Sequence, residues 1–466
     1  MSSPSRRSLP RSPLALLVLA AISGCNDPPP ADTPDACTSC EVDAAPEMDA
    51  GGDAGADANL PDSWSIPDVG VPVDDHWSER AACSFAAGAD PDDTLEDLAG
   101  ARAAIDHVII LMQENRSLDH MFGRTGHGIE GFPDGFSAPN RTGTPVEAYH
   151  ATTSCLTPDP PHQWANIHGE WNNGAMDGFV RVGGNVTMAY YEDADHPFYS
   201  WMLTTFATSD RYFCDVLSGT WPNRDYLYAG TSAGVMSTGQ IGRPPPSHTI
   251  FDELDTRHIT WGDYAAPNAF NECLEGSLGG TLTPPSGFCA RPQVHPYSEL
   301  AAVLAGPAAD IPSVIFIDLE PEDEHPPGDL HVGETAVHDV LAQVFASAIW
   351  PHTAFFYTYD ENGGFFDHVA PPGACLADPT QTMFDRLGMR VPVAVVSPFA
   401  RPGYVSHLTH SHASILRFVE AVFDIPAMTG RDANSDAMLD FFDFSTATFA
   451  TPPTPVAAAT PDPSCP

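Results

Sequence analysis

Four apolar runs constrain this chain more than any other feature. Residues 105–112, 313–319, 353–359 and 391–396 are nearly continuous stretches of aliphatic, aromatic and β-branched side chains. They lack the alternation of a strand with one wet face, so they read as strands covered on both sides. Residues 198–207, 336–348 and 414–423 carry the helical period instead and would lie across such a sheet. The expected class is therefore α/β, layered, around a mostly parallel sheet. No internal repeat is present.

Each run is followed at once by polar residues. Glu114-Asn115 follows the first, residues 320–325 the second, Asp360-Glu361 the third and Ser397 the fourth. Open α/β sheets bind ligands beyond the carboxyl ends of their strands, so these clusters point to one site. Three carboxylates and one amide oxygen, from Glu114, Asn115, Asp360 and Glu361, form a donor set for a hard divalent cation. Without a cation they would repel one another and raise each other's pKa. Each pair taken alone also reads as a solvated turn.

Ser218-Gly219-Thr220-Trp221-Pro222-Asn223-Arg224 precedes a helical stretch. A hydroxyl at a helix start lies near free backbone amides, which attract phosphate and steady developing negative charge. Thr220 is thus a candidate nucleophile, although a helix N-cap is a role Thr also fills well. Asn223 would add a neutral donor and Arg224 a cation for phosphate oxygens. Among the 19 histidines, His162 and His325 are candidates to protonate a leaving oxygen, and His412 to bind substrate.

Charge excludes several classes. The chain has 19 Arg and no Lys against 62 acidic residues, a formal charge of -43, so nucleic acid is not an expected partner. Without Lys there is neither a P-loop nor a Schiff-base amine. At 466 residues and 42% hydrophobic content the chain can bury a large core, as one catalytic domain with two loose ends.

The N-terminus reads as an export signal: Arg6, Arg7 and Arg11, then the apolar stretch 14–22, then Ser23-Gly24-Cys25. The last residues look like a bacterial lipobox, with membrane attachment through a lipid on Cys25, rather than an ordinary cleaved signal. Asn26 after the cysteine favours the outer membrane or cell surface; secretion or a periplasmic location is the alternative. The expected organisation is a signal peptide and lipobox over 1–25, a disordered acidic tether over 26–81, a catalytic domain over 82–449 and a flexible tail over 450–466. Export allows disulfides, with Cys37–Cys40 and Cys273–Cys289 the expected pairs.

The motifs also match a family. Glu114-Asn115-Arg116-Ser117-Leu118-Asp119-His120-Met121-Phe122-Gly123 resembles the E-N-R-S-F-D-H-x-F-G signature of the bacterial phosphoesterases that include phosphatidylcholine-hydrolysing phospholipases C and an acid phosphatase. Residues 173–179, 219–224, 323–327 and 359–369 look like its further blocks, in the same order. The resemblance implies an alkaline-phosphatase-like three-layer α/β/α sandwich. It also implies metal ligands at Glu114, Asn115, Asp360 and Glu361, a nucleophile at Thr220, and site histidines at His162 and His325. The implied reaction is hydrolysis of a phosphate ester or phospholipid through a phosphothreonine, with a phosphomonoesterase as the alternative. The family's late D-H-x-S block is Ser411-His412-Ala413-Ser414 here, without its acidic residue. A choline pocket could draw on Trp164, Trp171, Trp201, Trp221 and Tyr264. A non-catalytic surface lipoprotein would have lost the nucleophile or the ligands, and all are present.

Overall fold

The apolar runs fold as strands in the computed structural model, which describes residues 75–239, 246–265, 280–282, 285–319, 322 and 324–465. The main sheet contains β1 (His107–Gln113), β2 (Ala207–Ser209), β3 (Trp261–Ala265), β4 (Val294–Pro296), β5 (Val314–Asp318), β6 (Thr353–Tyr359), β7 (Val393–Val396) and β8 (Tyr404–Ser406). Its order is β4-β3-β5-β1-β6-β7-β2-β8. All neighbours pair in parallel except β7, which runs antiparallel to both β6 and β2.

The helices that bear on the site are α1 (Trp164–Trp171), α2 (Pro197–Thr205), α3 (Thr220–Ala229), α4 (Ile250–Arg257), α5 (Leu330–Ala346) and α6 (His412–Phe423). Strand alternation sorts most of them into layers. Ile110 lies in register with Phe316 and Phe356, so these three side chains share one face. Phe356 meets Phe418 of α6 at 5.0 Å between ring centroids, and Phe316 meets Phe251 of α4 at 4.9 Å and Tyr228 of α3 at 5.7 Å. Tyr357, one residue on, faces the opposite way and stacks on Tyr199 of α2 at 5.1 Å. Phe198 of α2 in turn contacts His338 of α5 at 5.1 Å. The expected three-layer α/β/α arrangement follows from these contacts. Every residue of β6 is buried, and each fully buried Phe such as Phe355 contributes about 1.5–3 kcal/mol.

Several expectations need correction. Phe355 pairs with Val396 and Thr358 with Val393, so the antiparallel β7 delivers Ser397 to the edge of the sheet opposite Asp360. Ser397 therefore does not join the site. Residue 207, placed at the end of a helix by its periodicity, begins β2 instead. The expected tail is docked: Ala459 N donates to Glu334 Oε2 at 2.8 Å, Asp462 N donates to Asp329 Oδ2 at 2.7 Å, and Cys465 is disulfide-bonded to Cys155. The folded part also begins before residue 82. Trp77–Ala81 is helical, Arg80 is buried against Thr94 O, and Cys83 is bonded to Cys375. Disulfides that join such distant positions stabilise mainly by restricting the unfolded chain. Cys289 is disulfide-bonded, while Cys273, like Cys37, Cys40 and the expected signal and lipobox, lies outside the described residues. So does the expected tether up to residue 74.

Candidate active site

β1 and β6 lie side by side, with Gln113 opposite Tyr359, so Glu114-Asn115 and Asp360-Glu361 leave the sheet as neighbours. Asn115 N donates to Asp360 Oδ1 at 3.0 Å and Glu361 N donates to the same oxygen at 2.7 Å. Asn115 adopts a positive φ of 68°, and the chain returns past it at Gly363, where an added Cβ would lie 2.4 Å from Asn115 O. Only glycine allows that close approach.

All four expected ligands are buried. Two of their oxygens, Asn115 Oδ1 and Glu361 Oε1, are buried and accept no hydrogen bond. Such orphaned acceptors are costly, and a divalent cation is a group whose chemistry would satisfy them. Burial, with the Asp360 charge next, pushes the Glu361 carboxyl well above its usual range.

Thr220 opens α3 directly after the cap residue Gly219, so it is the first helical residue and not the cap. Its hydroxyl donates to Glu114 Oε1 at 2.9 Å. That bond places the hydroxyl beside Glu114. The next two residues of interest are placed differently from their expected substrate-binding roles. Asn223 accepts from Val216 N at 2.9 Å and donates to Ser218 O at 2.8 Å and Gly219 O at 3.0 Å, so its amide is spent on shaping the loop that carries Thr220. Arg224 is buried and turned to carboxylates. It lies 3.3 Å from Asp360 Oδ2, 3.8 Å from Glu114 Oε2 and 3.9 Å from Asp318 Oδ2. Its guanidinium is a counter-charge between Glu114 and Asp360; burial opposes its charge, but those carboxylates, Asp360 first, raise its pKa.

His162 Nδ1 lies 2.7 Å from Pro160 O, which assigns its proton to that nitrogen and leaves the Nε2 lone pair facing Asn115 Nδ2 at 3.5 Å and Glu361 Oε1 at 3.9 Å. Burial lowers its pKa, which keeps the ring neutral. His325 stands edge to face with His162 at 5.8 Å and uses Nδ1 on Pro326 O at 2.8 Å. The two rings therefore share one wall of the site.

His412 does not bind substrate in this arrangement. It is fully buried, donates from Nε2 to Asp360 O at 2.7 Å and accepts at Nδ1 from Tyr212 OH at 2.9 Å. Both nitrogens are engaged, so the ring holds the Asp360 backbone in place. The acidic residue missing beside it is replaced from elsewhere: Asp215 accepts from Ser411 Oγ at 3.1 Å and Ala413 N at 2.9 Å. No sequence spacing could have revealed that substitution, because Asp215 lies 196 residues away.

Sequence reasoning also missed Asp318 and an ion cluster behind the ligand loops. Asp318 closes β5 beside β1, and its signal was a lone acid at the end of a buried run. Arg390 joins Asp367 at 2.9 Å and Asp119 at 3.0 Å, and His368 Nδ1 lies 2.6 Å from Asp119. Asp119 lies in the short helix Leu118–Phe122 that follows Glu114-Asn115, and Asp367 in the loop that follows Asp360-Glu361, so the cluster ties those two segments together. Removing one partner of such a buried pair costs about 3–5 kcal/mol because the other charge is left alone. Of the aromatics, Trp201 packs on Phe198 and Tyr264 stacks on His295. Trp164 and Trp171 line a small recess with His168, Leu217, Met383, Asp385 and Arg386, where Arg386 already covers the Trp171 ring at 5.0 Å.

The sequence profile of the Phosphoesterase family matches residues 105–426. Phospholipase C B of Mycobacterium tuberculosis is 31% identical over 430 residues, covering 75% of this chain and 79% of that protein. Non-hemolytic phospholipase C of Burkholderia pseudomallei is 32% identical over 389 residues, covering 69% of this chain and 55% of that protein. A solved structure of a protein in the alkaline phosphatase superfamily from Vibrio parahaemolyticus overlaps 72% of each chain, with a TM-score of 0.37 and 11% identity.

Proposed function

The chain belongs to the phosphoesterase family and is a hydrolase of phosphoric ester bonds, and from that premise we propose that it cleaves phosphodiesters in the manner of a phospholipase C, with Thr220 as nucleophile. The observation that carries the reading is the 2.9 Å hydrogen bond from Thr220 Oγ1 to Glu114 Oε1, which sets a helix-start hydroxyl against the ligand pair of β1. Glu114, Asn115, Asp360 and Glu361 would hold a divalent cation. When bound, that cation supplies charge stabilisation to the phosphoryl oxygens and makes the threonine hydroxyl more acidic.

The remaining steps belong to the protein's own groups. Thr220 Oγ1 attacks phosphorus, its proton passes to the Glu114 oxygen it already faces, and the bond from phosphorus to the leaving oxygen breaks. His325, the more exposed of the two rings, gives that oxygen its proton. His162, neutral, accepts a proton through Nε2 from the water that then attacks the phosphothreonine; the bond from phosphorus to Thr220 Oγ1 breaks, Thr220 takes back the proton held by Glu114, and the phosphate-bearing product leaves.

Electrostatics favours a diester over the phosphomonoester alternative. Arg224 is the guanidinium placed among the ligands, and three carboxylates already surround it. A dianionic monoester would add a second charge to a site rich in carboxylates, whereas a diester carries one. Hydrolysis of p-nitrophenyl phosphorylcholine, p-nitrophenyl phosphate and short-chain phosphatidylcholine tests this, with kcat/KM for the phosphorylcholine ester expected to exceed that for the monoester by about tenfold or more. A clear preference for the monoester would reassign the enzyme to the phosphatase reading.

We also propose a lipid on Cys25 that anchors the enzyme to the outer membrane or cell surface, supported by the apolar stretch 14–22 and the Ile22-Ser23-Gly24-Cys25 sequence. Among the described residues no helix is long and apolar enough to cross a membrane. Metabolic labelling with a radioactive fatty acid should mark the wild type and not Cys25→Ser; equal labelling of both would rule the anchor out.

A further inference from the structure

Glu324 stands one residue before His325, yet none of the chemistry above uses its side chain. It is 1% exposed and adopts a positive φ of 69°, which turns its carboxylate inward while its neighbour faces the site. Tyr199 OH donates to Oε1, Gln113 Nε2 donates to the same oxygen at 3.2 Å, and Tyr359 OH donates to Oε2 at 2.7 Å. Its main chain is held as well, since Arg116 donates to Glu324 O at 2.7 Å.

These partners are not scattered. Gln113 immediately precedes Glu114, Arg116 immediately follows Asn115, and Tyr359 immediately precedes Asp360. One carboxylate therefore ties the His325 segment to the ends of both ligand-bearing strands, β1 and β6. The opening of α5 is shaped around it: a Cβ added at Gly333 would lie 2.0 Å from Glu324 Cγ, so the helix can pass there only as glycine. All three side-chain partners are donors, and only a group with two acceptor oxygens satisfies them together.

We infer that Glu324 is a positioning residue for the leaving-group step, holding His325 in register with the ligand pairs so that its proton reaches the departing oxygen. The inference rests on the role given above to His325. Glutamine at this position keeps the volume but turns an NH₂ toward a donor, so it breaks the register without opening a cavity.

Leaving-group dependence separates positioning from mere structural support. An alkoxide needs a proton to depart and p-nitrophenolate does not. In Glu324→Gln, kcat/KM for dihexanoylphosphatidylcholine should fall by about 100-fold, while that for p-nitrophenyl phosphorylcholine falls by less than about threefold. The pair hexyl phosphate and p-nitrophenyl phosphate reads the same contrast if monoesters are the better substrates. Glu324→Asp, which keeps both acceptor oxygens on a shorter arm, should recover part of the alkyl activity, and Mn²⁺ affinity should be unchanged in all variants. Equal loss on both members of a pair, or weakened Mn²⁺ binding, overturns the inference. His325→Ala run in parallel distinguishes the levels. If it shows the selective loss and Glu324→Gln does not, only the role of Glu324 fails; if it shows none, the assignment of His325 fails first and this inference with it.

Discussion

Thr220→Ala should lower kcat/KM on every ester tested by on the order of 10⁴-fold, with the fold and cation binding retained. The change removes a hydroxyl and a methyl from the first residue of α3. The helix keeps its entry through Gly219, and the Asn223 bonds to Ser218 O and Gly219 O remain. Glu114 loses one donor but keeps Arg224 nearby at 3.8 Å. Stability should therefore move by only about 1 kcal/mol, the typical value of one hydrogen bond, while the acceptor for the phosphoryl group disappears. Thr220→Ser should retain substantial turnover, because the hydroxyl and its bond to Glu114 survive. Circular dichroism, thermal melts and steady-state kinetics on the three proteins check this. Alanine at 220 with near wild-type turnover would remove the nucleophile from the account.

The second large effect is a reversal of sign. Glu361 is fully buried, and burial and the neighbouring Asp360 charge hold its folded-state pKa well above the usual 4.5. A carboxyl with a raised folded pKa is ionised more readily in the unfolded chain, so ionisation favours unfolding. In the cation-free protein this contribution is absent below about pH 4.5 and grows as pH rises toward the folded pKa. Glu361→Gln removes it, so the cation-free variant should melt higher than wild type at neutral pH and show a flatter stability profile. With Mn²⁺ the order should invert. The wild type gains stability from binding, whereas the variant has lost a charged ligand and should bind at least about 100-fold more weakly. Wild-type affinity should also rise with pH, because the ligand must shed its proton before it can bind. Differential scanning calorimetry with and without Mn²⁺ reads both signs. A variant less stable than wild type in both states would show that Glu361 is a structural residue.

The parts legible in the sequence are those whose physics is local. β1, β5 and β6 were readable because burial on both faces makes a strand continuously apolar, and the meeting of Glu114-Asn115 with Asp360-Glu361 because each pair immediately follows such a strand. β2, β4 and β8 span only three residues each, too few for a period to emerge. β3 (Trp261–Ala265) carries Gly262 and Asp263 within it and so presents no apolar run. The direction of β7 was equally hidden: an apolar run announces burial and says nothing of orientation, which is why Ser397 was expected at the wrong edge.

Side-chain roles divided along the same line. Glu114 and Thr220 could be named from their neighbours in sequence, but whether Arg224 faces phosphate or carboxylate depends on Asp318, Glu114 and Asp360, which arrive from three strands. Asn223 carries the donors expected of it and directs them at its own loop. His412 keeps its place through Tyr212 and through an acid, Asp215, supplied from a different segment. The docked tail escaped notice because residues 450–466 have the composition of a loose end, and the groups that hold it down, Glu334, Asp329, His331 and Cys155, lie far from it in sequence.

Anomalous diffraction from crystals soaked in Mn²⁺ bears most directly on the centre of this account. The account predicts one strong peak in contact with oxygens of Glu114, Asn115, Asp360 and Glu361, with Thr220 Oγ1 turned toward it. A peak bound elsewhere, or none at Mn²⁺ concentrations that support full turnover, would contradict it.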